Sequence, residues 1–311
     1  MDPALHGPTR VDTWPLTGGG RLVVWTVHHA VIDEWSVRIV LDQLAAALRG
    51  EPLPPAADAR GFAAMEAGLA DVGRAVRQAD AVAGVVGEAH LPFPNWCGRV
   101  SESDLPLDPA LADALDVVAR RSGVTRVAPA LAAWGLAVQR VFGEPWRFIT
   151  TPVAKRLTPE LMEAVNCCLE MRLIECGARG EEPVADLVRR VHAELLASHE
   201  RVFVPFDVIA ARLRRHRAEL GLLPVQFGFT WRRDPHPAIP VGPPGSLRVI
   251  RVPQRTTVFG CTLHVEETDG SLRARLEVCG DGAAPGIAER LSGAFREAVE
   301  HLRGSAPAEA A

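Results

Sequence analysis

His28-His29-Ala30-Val31-Ile32-Asp33-Glu34-Trp35-Ser36 sets two histidines and an acid where an apolar strand gives way to an amphipathic helix. Upstream, Arg21-Leu22-Val23-Val24-Trp25-Thr26-Val27 has the β-branched and aromatic composition of a buried strand, and Gly18-Gly19-Gly20 ahead of it fits a hairpin turn. Downstream, Val37, Val40, Leu41, Leu44 and Leu48 recur at steps of three and four, which predicts a helix from about Trp35 to Leu48, stopped by Gly50 and Pro52. The stretch is thus a strand, a loop and a helix, and strand ends that open into loops commonly display reactive side chains.

Adjacent strand residues point to opposite faces, so His28 and His29 cannot both address one reacting atom unless the chain kinks between them. One histidine is expected to be structural and the other functional. A metal site needs ligands converging on one point, and His-His-x-x-x-Asp leaving a strand does not supply that, so no metal is expected. Taken alone, the pair also fits two satisfied polar groups at a strand end.

The chain has 311 residues, longer than a single core usually sustains, so two lobes are expected. Its 48% apolar and 23% charged residues describe a globular protein, and a formal charge of -4 with no basic stripe gives nucleic acid nothing to bind. No apolar run reaches spanning length, and Met1-Asp2-Pro3-Ala4-Leu5-His6 lacks the regions of a signal peptide; a cytoplasmic protein without a membrane partner is expected. The six cysteines, at 97, 167, 168, 176, 261 and 279, form no C-x-x-C pair and read as reduced core residues. Cys167 and Cys168 fall in an apolar, strand-like segment with no adjacent basic helix start, which argues against a nucleophilic role for either.

Further along, Phe62, Met65, Leu69, Val72 and Val76 read as one helical face. Leu91-Pro92-Phe93-Pro94-Asn95 breaks the chain, and Asp108-Pro109 reads as an N-cap with proline in the first helical position, giving a first lobe of residues 1–105 and a second of residues 106–311. Leu111, Leu115 and Val118 mark one helix, and Val127 to Phe142 a second stopped by Gly143. Strands are expected over Arg147 to Val153 and Cys168 to Ile174, then a helix from Pro183 to about His199 and a short one after Pro205. Strand composition returns at Val225 to Trp231, Ser246 to Val252, Thr257 to Glu267 and Leu272 to Cys279, with Asp269-Gly270 as a hairpin signal. Ile287, Leu291, Phe295, Val299 and Leu302 line a last amphipathic helix. This order describes an α/β protein on a mixed sheet.

The chain holds no G-x-S-x-G elbow and no G-x-x-x-x-G-K-[ST] loop, so neither a serine-hydrolase triad nor phosphate-loop chemistry has its parts. A histidine with a nearby carboxylate remains, suited to a base or orienting group that acts on a nucleophile brought by the substrate.

These residues resemble a known family. His28-His29-x-x-x-Asp33 followed by Glu34-Trp35-Ser36 is similar to the His-His-x-x-x-Asp-Gly-Trp-Ser core of condensation domains of nonribosomal peptide synthetases, in the chloramphenicol-acetyltransferase-like superfamily. Thr151-Pro152-Val153-Ala154-Lys155-Arg156 resembles G-T-P-V-A-G-R, and Asn166-Cys167-Cys168-Leu169-Glu170-Met171-Arg172 resembles N-T-L-P-L-R with one residue of slack. His199 with Val204-Pro205-Phe206-Asp207 is similar to H-Q-D-V-P-F-E with two extra residues, and Leu223-Pro224-Val225-Gln226-Phe227-Gly228-Phe229 to P-L-F-Q-V-x-F. The similarity runs from about Arg21 to the last helix.

The resemblance implies a two-lobed, acetyltransferase-like α/β fold with a tunnel between the lobes. Its reaction is acyl transfer from a carrier-bound thioester to an amine or hydroxyl. His29 would act on the acceptor, His28 would be structural, and Asp33 would pair with Arg156 at the site. It implies no bound cofactor, because substrates arrive on the phosphopantetheine of acyl or peptidyl carrier proteins, here acting in trans. Two departures stand out. Glu34 replaces the family's glycine beside Trp35 and Ser36, a loss also found in members that recruit other proteins and form no bonds. The motif strand also comes early, so the N-terminal lobe is expected to be incomplete, with a separate polypeptide as one means of completing it.

Overall fold

The computed structural model describes residues 7–93, 99–216, 225–233, 238–243, 245–253, 255–257, 259–280 and 284–306. Met1 to His6, Pro94-Asn95, Cys97 and Leu223-Pro224, read above from sequence, lie outside the described residues. The chain forms two compact units: one drawn from Met1–Leu69, Ala154–Leu169 and Pro237–Val249, the other from Ala70–Val153, Glu170–His236 and Ile250–Ala311.

The first unit opens with an antiparallel ribbon of β1 (Thr9–Pro15) and β2 (Arg21–Val27), in register from Thr9 opposite Val27 to Pro15 opposite Arg21. Gly18, Gly19 and Gly20 all have φ near +90°, between +88° and +96°, which side chains resist, so the glycine run makes the turn. β2 was expected to be buried, yet Val23 and Val24 are exposed. Its sheet has only two strands among the described residues, so its β-branched composition serves a paired ribbon and not a core layer. After a 3-10 turn at His29–Val31 comes α1 (Glu34–Leu48), which ends before Gly50 at φ 75°, then α2 (Gly61–Leu69). Arg49, just past α1, donates to the Pro240 carbonyl at 2.8 Å in the small ribbon β7 (Ile239–Pro240) and β8 (Ser246–Leu247). The strand expected over Ser246 to Val252 is only two residues long, since Ile239 and Pro240 alone pair with it, and Ile250 and Val252 are exposed.

The second unit is built on a six-stranded mixed sheet in the order β3-β10-β9-β6-β4-β5. Its strands are β3 (Val100–Leu105), β4 (Phe148–Ala154), β5 (Leu169–Glu175), β6 (Phe227–Arg233), β9 (Cys261–Thr268) and β10 (Ser271–Cys279). β10 pairs antiparallel with β3 and β9, while β6 runs parallel to β9 and β4. Asp269 and Gly270 both take positive φ, 48° and 79°, the two-residue turn that matches strand twist.

Helices α4 (Pro109–Ser122), α5 (Val127–Phe142), α7 (Val184–Ala197) and α9 (Ile287–Ser305) pack together. Trp134, Phe227, Phe229, Leu263 and Phe295 belong to the same buried apolar cluster, and the Trp134 indole donates to the Gly228 carbonyl at 3.0 Å. Asp108 accepts from the Leu111 N–H and Pro109 opens the helix, as the sequence predicts. The run from Phe62 to Val76 is two helices and not one. Asp71 donates its N–H to the Phe203 carbonyl and caps α3 (Val72–Val86) through Arg74 N–H, so Val72 stays exposed while Ala75, Ala79, Val82 and Val86 are buried. α3 packs on α8 (Phe206–His216) and β3 completes a sheet edge with β10, which puts residues 70–105 in the second unit, outside the lobe drawn from chain order.

The segment Ala154–Leu169, joining β4 to β5 and containing α6 (Pro159–Glu163), belongs to the first unit, where it meets the His28–Ser36 stretch. No helix among the described residues is long and apolar enough to cross a membrane.

The packing of α5 generates a stability prediction. A Cβ built on Gly135 would lie 2.4 Å from the Cys176 backbone, whereas one on Gly84, in α3, would meet nothing within 4 Å. Gly135→Ala should therefore cost about 1–3 kcal/mol through overpacking. Gly84→Ala should add up to ~1 kcal/mol through helix propensity. Thermal melts of the two variants should shift in opposite directions.

Candidate active site

The chain kinks at the paired histidines. His28 keeps an extended backbone (φ -76°, ψ 129°), its N–H donating to the Pro8 carbonyl at 2.8 Å, and its Nδ1 accepts from the Ala30 N–H at 3.1 Å to cap the His29–Val31 turn. That bond holds the turn. Ile32 returns the chain to extended geometry, and Asp33 caps α1.

Asp33 is the junction of the site. It is buried, and its Oδ1 accepts from the Ser36 N–H at 2.8 Å and from Arg156 Nη2 at 2.7 Å, while Oδ2 accepts from the Cys168 N–H at 2.9 Å. Arg156, also buried, donates through Nη2 to Ser36 Oγ at 2.7 Å and through Nη1 to the carbonyls of Leu161 and Ala164 at the end of α6. Ser36 Oγ accepts in addition from the Asn166 N–H at 3.0 Å and lies within 2.8 Å of both Asp33 Oδ1 and the Asn166 carbonyl, either of which takes its proton. A desolvated carboxylate and guanidinium tolerate burial when most of their remaining sites are bonded; here backbone groups supply those bonds, and Arg156 Nε is left buried without a hydrogen-bond partner among the described residues.

Trp35 covers this pair: its indole donates to the Met162 carbonyl at 2.9 Å and its ring lies 5.8 Å from the Arg156 guanidinium carbon, a cation–π contact. Glu34 is exposed in the first turn of α1, where a negative charge suits the helix terminus. A buried carboxylate at this position would require a cation or a proton; an exposed one does not.

His29 is exposed, and its Nδ1 lies 3.9 Å from Cys167 Sγ. Contact with Cys167, opposed by partial desolvation and reinforced by the carbonyls of His29 and Ile32, raises its pKa to about 9. The ring is therefore mostly an imidazolium at neutral pH, a donor more than a base. The sequence shows no basic helix start beside Cys167, and the ring that faces it comes from His29, 138 positions away. Cys168 does fit that reading: it is buried, and burial pushes its thiol up to about 11. The structure thus brings His29, Asp33, Ser36, Trp35 and Arg156 together with Asn166, Cys167 and Cys168. No group of three His, Cys, Asp or Glu side chains among the described residues is placed to hold a metal.

The chain matches no protein-family model. It is 29% identical over 206 residues, 60% of its length, to cyclosporin synthetase simA of Tolypocladium inflatum, and 22% identical over 302 residues, 94% of its length, to surfactin synthase subunit 1 of Bacillus subtilis. It spans 1% and 8% of those two relatives. Among solved structures, the first condensation domain of the calcium-dependent antibiotic synthetase in complex with a substrate analogue superposes with a TM-score of 0.65 at 21% identity, covering 97% of this chain and 68% of that one.

The fold is that of a condensation domain.

The X-domain of teicoplanin biosynthesis, solved in complex with OxyB, shares this fold with a TM-score of 0.70 at 17% identity, covering 96% of this chain and 72% of that one. The epimerization domain of the third module of tyrocidine synthetase B does so with a TM-score of 0.65 at 15% identity, covering 96% of this chain and 72% of that one. The α/β architecture on a mixed sheet, expected from the order of strands and helices, is therefore observed.

Two outcomes follow for this site. Asp33→Asn leaves the buried Arg156 charge without its counter-ion and should destabilise the chain by about 3–5 kcal/mol in urea denaturation. The His29 ring should titrate by NMR near pH 9, and Cys167→Ala should bring its midpoint down toward the ordinary value of 6.5. Because the folded value is the raised one, the stability that this protonation contributes is fully present below about pH 6.5 and is lost as pH rises through about 9.

Proposed function

We propose that this chain is an acyltransferase of the condensation type, joining a carrier-bound acyl thioester to an amine or hydroxyl acceptor in nonribosomal peptide or related natural-product synthesis. The observation that carries this reading is the contrast at the motif: Asp33 is locked by Arg156 beneath the turn while the His29 ring stays open to solvent.

In this reading the acceptor nitrogen or oxygen attacks the thioester carbonyl, the carbon–sulfur bond breaks, and the pantetheine thiol leaves. His29 touches the reacting atoms. As an imidazolium it donates to the carbonyl oxygen, where charge develops, and as a neutral ring at higher pH it takes the acceptor proton. Holding two reactants in register is worth several kcal/mol by itself, so no covalent role for the histidine is needed. His28, Asp33 and Arg156 are positioning residues: they fix the turn and touch no substrate.

The partners that follow are acyl or peptidyl carrier proteins in trans, which bring the phosphopantetheine arm, so the protein needs no resident cofactor. We also infer a polypeptide that completes the first lobe, for which the exposure of Val11, Trp14, Val23 and Val24 on the β1–β2 ribbon is the support. Glu34, exposed beside Trp35 where condensation domains carry glycine, favours a second reading: a docking module that binds carrier domains or a tailoring enzyme and makes no bond.

Intact-protein mass spectrometry of an acyl-loaded carrier, with candidate amines and this protein, separates the two. Transfer should occur with wild type and fall about 10²- to 10⁴-fold with His29→Ala. Turnover unchanged by His29→Ala would remove the catalytic assignment. Carrier capture with no product in any assay would favour docking, and Glu34→Gly should then restore turnover if Glu34 is the impediment.

A further inference from the structure

Cys167 differs from the other described cysteines. Cys168, Cys176, Cys261 and Cys279 are buried, and burial pushes the thiols of Cys168, Cys176 and Cys261 up, whereas Cys167 is half-exposed and faces His29 across 3.9 Å. Thiolate is the nucleophilic form of cysteine, and an adjacent imidazolium is a known partner for it. Contact with Cys167 is the largest cause of the raised basicity of His29.

The thiol is also held in place. The Cys167 N–H donates to Asn166 Oδ1 at 2.9 Å, the Cys168 N–H to Asp33 Oδ2 at 2.9 Å, and the Cys168 carbonyl accepts from the Lys155 N–H at 2.7 Å. Backbone bonds thus grip both sides of Cys167, and one of them is made by the buried carboxylate that also caps α1. A nucleophile and a proton carrier held at contact distance on fixed backbone, with both side chains reachable, are the parts of a covalent acyl relay.

We propose that Cys167 accepts the acyl group as an enzyme thioester before the final acceptor receives it. The step rests on the acyl-transfer reading above. With the His29 ring in its neutral form, Cys167 Sγ attacks the carbonyl of a pantetheine thioester as its proton passes to His29 Nδ1; the new carbon–sulfur bond forms, the bond to pantetheine sulfur breaks, and His29 returns the proton to that sulfur as the free thiol leaves. The amine or hydroxyl then attacks the Cys167 thioester, His29 takes its proton, and the Cys167 sulfur leaves and recovers a proton from the same ring. Atoms and charge balance with no oxidant or additional reactant. The substrate class is a simple acyl thioester of a pantetheine arm, and the kinetics are ping-pong.

The test uses the full chain and the N-acetylcysteamine thioester of hexanoic acid, without amine. Wild type should gain one hexanoyl mass, mapped to the Cys167 peptide, with release of one equivalent of N-acetylcysteamine. Cys167→Ala and the near-isosteric Cys167→Ser should lose the thioester adduct while keeping the wild-type circular-dichroism spectrum, and His29→Ala should slow its formation by about 10²-fold or more. Absence of the adduct on wild type, or an equal adduct on Cys167→Ala, overturns the relay. If Cys167→Ala then makes product from a loaded carrier at the wild-type rate while His29→Ala does not, acyl transfer stands and the relay alone falls. An adduct on Cys167 that no amine or hydroxyl discharges is a dead-end acylation and overturns the relay together with the condensation reading.

Discussion

The ion pair of Asp33 with Arg156, 2.7 Å between Oδ1 and Nη2 and closed to solvent, is the constraint on which the site depends. Its contribution is geometric. A buried pair gains little net stability over an apolar pair of the same volume, because desolvation offsets the attraction. What it does here is join two stretches 123 residues apart in sequence, since neither charge can leave without abandoning the other in a dry site. The same carboxylate accepts the Ser36 N–H, so the start of α1 and the loop after β4 are fixed by one group.

Placement of the reactive residues follows from that junction. Asp33 Oδ2 holds the Cys168 N–H, which sets where Cys167 sits, and the turn that precedes Asp33 sets where His29 sits. The contact between the two is thus a consequence of backbone bonds from a residue that touches neither reacting group. Trp35 and Ser36 extend the arrangement: one covers Arg156 with its ring, and the other feeds a hydroxyl between Asp33, Arg156 and Asn166. Asp33, Trp35 and Ser36 each bond into the segment Arg156–Cys168, which explains why the motif reads as one block.

Much of this was legible from sequence because its signals are local. Asp108-Pro109 announces α4, Gly143 the end of α5, and Asp269-Gly270 the last hairpin, since each works through the conformation or cap of one or two residues. Features that depend on partners were less visible. Asp71 sits in a run whose apolar spacing continues across it, and only the distant Phe203 carbonyl reveals the break between α2 and α3. β3, Val100-Ser-Glu-Ser-Asp-Leu105, is too polar to read as a strand and exists through its pairing with β10. The proximity of Cys167 to His29 is the extreme case: nothing near Cys167 in sequence is basic, and the only hint was that both segments resembled blocks of one family.

Glu34 shows how a departure from a family pattern can be tested physically before it is interpreted. Glycine is indispensable where the backbone takes positive φ, yet Glu34 is helical and Asp269 is the only non-glycine residue with positive φ among those described. The backbone at this position therefore asks for no glycine, and the helix start accommodates an acid without strain, since the free N–H groups there favour negative charge. The folded structure thus gives no reason for Glu34 to impair the turn, the ion pair or the cap. An effect of Glu34 on the proposed acyl transfer would then act through bulk or charge beside Trp35.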